Sequence, residues 1–403
     1  MVAKIKKYIE MNNKKLSTKE EFTDFVNDFK TTHEMPFAFA IGIGYCDENG
    51  NIATARFPAI NIDSMHGTMS VIMHSMQVDE IKDITVLDLT EHAGDILRNY
   101  FKPYLEEEGH ANIDVIKQTQ GQFFSKSFSL QRKALIAMIY PTKESLTETS
   151  PINNIDVMCR LAMISSLFFK PNEINLNNAF GLLKKLYYIP EGALTTKQWI
   201  SQLMIGNYMH PISVDKFPPL CWGAPLDETV RVGDPTRVRL GAYLAPGTTV
   251  MHEGFVNFNA GTLGPGMIEG RISQGVIIGK DCDLGGGCSI MGTLSGGGKL
   301  KITIGDNCLL GANSGIGISL GNRCTVEAGL YVTTGTKIKI CSKKFDDVKN
   351  SYFHDDGLIK GKFIKALYLS GLDDMLFIRH SISGGVELHF NDNPNKLDKV
   401  LHA

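Results

Sequence analysis

VRVGDPTRVRLGAYLAPGTTVMHEGFV, residues 230–256, carries an aliphatic side chain at every sixth position: Val232, Val238, Leu244, Val250 and Val256. The series resumes at Ile272, Ile278, Leu284 and Ile290, and again at Ile304, Leu310 and Ile316. It then shifts phase and continues at Leu320, Val326, Val332 and Ile338. A small residue often follows the anchor, as in Val232-Gly233, Ile278-Gly279 and Leu310-Gly311. A helix repeats about every 3.6 residues and a strand about every 2, so neither explains a period of six. The period is that of a hexapeptide-repeat parallel β-helix, in which each unit supplies one short strand and one turn. Three units close a triangular coil with the aliphatic side chains inside, and stacked coils pair at about 4.8 Å. Two interruptions stand out: Asn257 to Ile268 reads as a break in phase, and Leu294 to Lys299 reads as a loop extruded from a coil.

Around this rod, a chain of 403 residues has room for about two or three domains. A net charge of -2 gives no sign of nucleic-acid binding. The 43% hydrophobic and 21% charged content is that of an ordinary globular protein. The eight cysteines include no C-x-x-C, and Cys282, Cys288, Cys308 and Cys324 read as small buried coil residues, so a reducing, cytoplasmic setting is expected. Lys4, Lys6 and Lys7 are not followed by the apolar run of a signal peptide. No run reaches the roughly 18 apolar residues of a membrane helix, so no membrane is expected as a partner.

In chain order, Ser17-Thr18-Lys19-Glu20 reads as a capping box opening a helix to about Phe29. Strands are expected at 36–44 and 51–58 around the turn Asp47-Glu48-Asn49-Gly50, and a helix at 88–109. Residues 133–140 fit a strand or a buried helix, and 155–205 read as mostly helical, with breaks at Pro171 and Pro190. The expected organisation is an N-terminal α+β domain over 1–224, with room for two units, and a β-helix over 225–340. Residues 341–403 are expected to hold a flexible excursion (341–361) and a C-terminal β segment, with β-rich runs at 363–370 and 375–390.

Two nucleotide motifs fail. Gly292 to Lys299 lacks the P-loop spacing and Leu300 follows the lysine, while Gly42-Ile43-Gly44 lacks the third glycine of a dinucleotide fingerprint. A zinc enzyme of this architecture needs several histidines on its coils, but His252 is the only one between 230 and 340. Grooves between stiff rods suit a thin extended ligand such as the pantetheine arm of coenzyme A. Acyl transfer is therefore the leading class, against a purely structural rod or a regulatory scaffold. Met267-Ile268-Glu269-Gly270-Arg271-Ile272-Ser273 sets a carboxylate and a guanidinium two residues apart where the repeat resumes, and strand alternation would put both on one side. Glu269 could take the proton of an attacking amine, and Arg271 could grip a carboxylate.

Longer strings carry a more specific signal. Met251-His252-Glu253-Gly254-Phe255-Val256-Asn257, Glu269-Gly270-Arg271-Ile272-Ser273, Ser289-Ile290-Met291-Gly292-Thr293, Gly311-Ala312-Asn313-Ser314-Gly315 and Glu327-Ala328-Gly329-Leu330-Tyr331 closely resemble the longer-chain branch of the tetrahydrodipicolinate N-succinyltransferases. The resemblance runs over about 230–340 and again from Lys365 to Ser381; the N-terminal half and 341–361 show little or none. It implies a left-handed β-helix and a homotrimer with sites between subunits. It also implies succinyl transfer from succinyl-CoA to the amine of ring-opened tetrahydrodipicolinate, a step of diaminopimelate and lysine synthesis. A hexapeptide acetyl-CoA-dependent N-acetyltransferase is the alternative within this fold.

By the same resemblance, Glu269 falls on the catalytic glutamate, as general base or as nucleophile; chemistry favours the base, because a deprotonated amine attacks a thioester directly. Arg271, Gly286 and Ser289 fall near the succinyl group and thioester. Ala312, Glu327, Ala328 and Gly335 fall along the pantetheine groove. Lys365, Ile378, Arg379, His380 and Ser381 fall at the nucleotide end of CoA, where Lys365 and Arg379 suit phosphate. The branch can hold Mg2+ on the trimer axis through an Asp and a Glu. Glu253 matches the Glu, but the Asp position is Thr236, with Asp234 two residues away.

Overall fold

The computed structural model describes residues 16–89, 91–117, 133–207, 209–294, 299–347 and 363–394. The described chain forms two compact units. The first comprises residues up to 163, 174–218 and 222–224; the second comprises 164–173, 219–221 and 225 onwards.

In the first unit, helix α1 (Lys19–Thr32) opens with a capping box made by Thr18 and Glu21, one residue later than the sequence suggests. The Thr18 hydroxyl accepts the Glu21 amide, so Thr18 rather than Ser17 takes the cap. Strands β1 (Ala38–Cys46), β2 (Ile52–Ile62), β3 (Thr85–Leu89) and β4 (Lys133–Tyr140) form an antiparallel sheet in the order β2-β1-β4-β3. The Asp47 carboxylate accepts the amides of Asn49 and Asn51 and so closes the β1–β2 turn. Phe39, Ile41, Leu135, Ala137 and Ile139 turn one sheet face toward α1, α2 (His66–Met76), α3 (Glu91–Tyr100) and α4 (Ala111–Lys117). The helix expected at 88–109 is shorter, because Leu89 ends β3 and α3 stops at Tyr100. Residues 133–140 resolve as strand, buried along its length because it pairs on both sides.

The helical reading of 155–205 fails in its middle. After α5 (Asn154–Ser165), Leu186–Ile189 and Gly192–Leu194 pair as a hairpin around Pro190, and Ser213–Asp215 joins them. The aromatic pattern of Tyr187 and Tyr188 is satisfied by a sheet: Tyr187 stacks on Trp199, and Tyr188 lies edge-on to Trp222. On α5, Arg160 is fully buried, bonds Asp156, and donates to the carbonyls of Ser145, Leu146, Thr149 and Asn175. Such a buried charge is tolerated because its donors are satisfied.

The second unit is a left-handed parallel β-helix. On its first face, Arg231–Val232, Thr248–Val250, Gly266–Ile268, Cys282–Leu284, Leu309–Leu310 and Thr325–Val326 pair in parallel, rung by rung. The second face stacks Phe255–Val256, Arg271–Ile272, Ser289–Ile290, Gly315–Ile316 and Tyr331–Val332. The third stacks Ala242–Leu244, Ala260–Thr262, Ile277–Ile278 and Thr303–Ile304. The inward aliphatics form one buried core with Cys282, Cys288, Cys308 and Cys324, and none of the eight cysteines is in a disulfide.

Three details correct the sequence reading. Asn257 to Ile268 is not a break: Val256, Thr262 and Ile268 keep the spacing of six. The inward slot holds Thr262, whose hydroxyl is satisfied by Thr248 at 2.7 Å, so a polar residue replaces the expected aliphatic one. The slip falls at Ile268 to Ile272, four positions apart, where the turn between the first and second faces loses two residues. Finally, Ile338 is buried, but its strand pairs with Val386–Phe390 and Phe363–Lys365 instead of continuing a coil.

The loop read at 294–299 leaves the prism through a short ladder, Thr293 with Lys301 and Leu294 with Leu300; residues 295–298 lie outside the described residues. The start of the 341–361 excursion is built: Ser342 caps a 3-10 turn at Lys343–Phe345, and Phe345 is buried near Phe390. The remainder, from 348, lies outside the described residues. Met375–Arg379 pairs in parallel with Thr325–Val326 and turns back antiparallel as Val386–Phe390, so the C-terminal strands extend the first face of the prism. The run at 363–370 is strand only to Lys365 and then a 3-10 turn.

Removing an inward methyl cluster leaves a cavity that a stack of rigid coils closes poorly. Ile278→Ala is expected to cost about 2–5 kcal/mol in urea unfolding, and Thr303→Ala on the exposed side of the same face within about 0.5 kcal/mol.

Candidate active site

The turn between the first and second faces repeats up the prism. Its first residue after the inward anchor is Met251, then Glu269, Gly285, Gly311 and Glu327 on successive rungs, and on the next rung Ile378 follows the Phe377 anchor within the strand Met375–Arg379. Glu269 is half-buried there, its amide donating to the Leu284 carbonyl and its own carbonyl accepting from Gly287. The turn one rung below is two residues longer, and this brings Glu253 up beside Glu269. A Cβ added at Gly286 would lie 3.4 Å from the Glu253 carboxylate and 3.6 Å from that of Glu269. Gly286 therefore leaves an open space between two carboxylates.

Arg271 and Ser289 are adjacent on the second face, where the guanidinium donates twice to the Ser289 hydroxyl, at 2.6 and 3.2 Å. Strand alternation does not unite Glu269 with Arg271 as expected. Ile268 closes one face and Arg271 opens the next, so the pair flanks a corner. The Cys288 thiol lies against Gly270, and burial, with Asp283 and Glu269 nearby, pushes it up to about 12. It is a neutral thiol at pH 7, not a nucleophile.

Farther along the same column, Ala312 and Ala328 are exposed small residues, and Glu327 accepts the Arg379 amide at 2.6 Å. The Arg379 guanidinium also reaches the Gly329 carbonyl. From the Glu269 rung to that of Ile378 is four steps, about 19 Å at about 4.8 Å per step. His380 and Ser381 lie in the turn before Val386, with the His380 ring bonded to Ser383. Gly335 and Lys365 form a separate group: Lys365 pairs with Lys337, and the next amide, Ala366, donates to Thr336.

Sequence reasoning missed Lys337, Tyr331 and the proximity of Glu253 to Glu269. The Tyr331 ring lies over Gly315, where an added Cβ would sit 2.0 Å from a ring carbon. The exposed aromatic directly after Gly329-Leu330 was the available signal. Nothing in the sequence signals that two glutamates 16 positions apart meet across a rung.

Residues 20–181 match the family model described as the N-terminal part of tetrahydrodipicolinate N-succinyltransferase, and residues 301–334 match the hexapeptide repeat of succinyl-transferase. This chain belongs to the tetrahydrodipicolinate N-succinyltransferase family. It is 42% identical over 289 residues to a 2,3,4,5-tetrahydropyridine-2,6-dicarboxylate N-succinyltransferase of Pseudomonas aeruginosa, covering 69% of this chain and 80% of that one. The protein of that name from Vibrio cholerae is 35% identical over 373 residues, 90% of this chain and 98% of its own. A solved Campylobacter jejuni structure named as a 2,3,4,5-tetrahydropyridine-2-carboxylate N-succinyltransferase superposes with TM-score 0.79 at 32% identity, over 94% of this chain and 99% of that one. The N-terminal match corrects the expectation that this half shows little resemblance.

Gly286→Ala adds a methyl at ordinary contact distance, so the fold is expected to keep its melting temperature. The methyl fills the space between the two carboxylates, and kcat/KM is expected to fall about tenfold or more, read by steady-state kinetics.

Proposed function

We infer that this chain is an N-succinyltransferase that moves the succinyl group of succinyl-CoA to the amine of ring-opened tetrahydrodipicolinate, in diaminopimelate and lysine synthesis. The observation that carries the mechanism is Glu269 at the shortened corner, its carboxylate facing the open space over Gly286. The amine attacks the thioester carbonyl, a C–N bond forms and the C–S bond breaks. Glu269 accepts the amine proton and returns it to the departing CoA sulfur. A positioned base of this kind contributes about 10²–10⁴-fold. Arg271, held by Ser289, offers its remaining N–H groups to a carboxylate of donor or acceptor.

The column of small residues, Gly286, Ala312 and Ala328, lets the pantetheine arm lie against the backbone. Arg379, with His380, Ser381 and Ile378 around it, receives the nucleotide end about four rungs away, and Lys365 with Lys337 adds positive charge beyond Gly335. The rung spacing supports this direction, because it sets the reacting centre and the phosphate-binding groups an extended arm apart.

The working form is proposed to be a cytoplasmic homotrimer with sites completed between subunits. Eight cysteines outside any disulfide fit a reducing compartment. Among the described residues, no helix is long and apolar enough to cross a membrane. Exposed Leu263, Leu300 and Tyr331 are apolar side chains for a neighbouring rod to cover. The axial magnesium of the longer branch fits these residues poorly. Thr236 stands where a carboxylate is needed, and its hydroxyl is committed to Asp234 at 2.7 Å. The remaining carboxylate, Glu253, lies beside Gly286 and Glu269. No step is assigned to a metal.

Glu269→Gln is expected to lower kcat about 10²–10⁴-fold, measured by CoA release, while sedimentation still shows a trimer. Near-normal turnover by that variant would remove Glu269 from the mechanism. Succinyl-CoA is expected to be the better donor in wild type and to lose that advantage over acetyl-CoA in Arg271→Met; faster acetyl transfer by wild type would instead favour an acetyltransferase.

A further inference from the structure

The strands Lys337–Ile340 and Val386–Phe390 lie side by side in parallel near the end of the prism, with Lys339 opposite Glu387. Strand alternation puts Lys339 and Cys341 on one side of the first strand, and Glu387 and His389 on one side of the second. The register brings these side chains together. A ligand atom from each of Cys341, Glu387 and His389 lies within 4.8 Å of the other two. The His389 Nε2 is 3.1 Å from one Glu387 oxygen, and the Lys339 ammonium is 2.8 Å from the other.

We propose that Cys341, Glu387 and His389 form a binding site for a thiolate-accepting divalent transition-metal ion of the zinc class. Thiolate, imidazole and carboxylate together make a zinc-type donor set, whereas magnesium or calcium would require more oxygen donors than one carboxylate supplies. Zinc bonds of about 2.0–2.3 Å set tetrahedral ligands about 3.3–3.8 Å apart, so the His389–Glu387 pair at 3.1 Å is already near that spacing and the Cys341 sulfur is the atom that has to adjust. Rotation of the exposed Cys341 side chain supplies that movement. Three protein ligands leave one position for water or an exogenous ligand. The site is apart from the proposed acyl-transfer centre at Glu269 but lies one strand beyond Ile378, beside the residues proposed for the nucleotide end of CoA, because Glu387 pairs with Ile378. Metal binding would tie the C-terminal hairpin to the strand that precedes residue 341.

The test is titration of the full-length protein, reduced and freed of metal, with Co2+. One Co2+ per chain is expected, with a thiolate-to-cobalt charge-transfer band. Cys341→Ser is expected to abolish the band, and His389→Gln to weaken binding on the order of tenfold or more. Cys221→Ser, which removes the other exposed thiol, is expected to leave the band unchanged. Circular dichroism of each variant checks that it is folded. Absence of the band in folded wild-type protein at saturating Co2+, its persistence in Cys341→Ser, or its loss in Cys221→Ser would each overturn the proposal.

Discussion

Every functional residue of this chain depends on the stacking of parallel rungs over a core of inward aliphatic side chains. The backbone pairing fixes the distance between coils, and the buried anchors fix which way each residue points. Val250, Ile268, Leu284, Leu310 and Val326 stand in one column, so the residues that follow them also stand in one column. A residue placed directly after an anchor is thereby held at a known height on a known edge. The proposed site is a line along the prism, with the acyl-transfer residues toward one end and the charged ones toward the other.

The shortened corner at Glu269 is where that regular edge changes, and it is the proposed site. A turn two residues shorter than the one below it brings Glu253 and Glu269 to the same open space, and a glycine on the next rung keeps that space clear. Arg271 follows immediately on the next face, with Ser289 fixing its guanidinium. Two negative groups beside one open position suit a site that must accept a proton from an amine. Burial keeps the Cys288 thiol of this corner neutral, which is consistent with the proposal that a carboxylate takes the amine proton.

The first unit contributes differently. Its sheet and helices bury a conventional core, and its charged centre, Arg160 with Asp156, serves loop carbonyls, not a ligand. Residues 20–181 match the family's N-terminal part. The charges proposed to meet ligands gather instead near the C-terminal strands, which extend the prism and carry Lys365, Arg379, Glu387 and His389, with Cys341 beside them.

The sequence by itself determined the prism, because a period of six can bury its aliphatic residues in only one regular way. It also drew attention to Glu269 and Arg271, which stand where the repeat resumes and fall on the family's strings. It misplaced the slip in period across 257–268, because a buried threonine whose hydroxyl is satisfied internally looks polar in a list of residues. Tyr187 and Tyr188 were read as helical for a similar reason: a short apolar run has no clear period until its partners are known. Only the tertiary structure decided which side chains meet across rungs. Glu253 with Glu269, Lys337 with Lys365, and Cys341 with Glu387 and His389 lie far apart in the chain. Their proximity is set by strand register, and register is settled when coils and strands pack together.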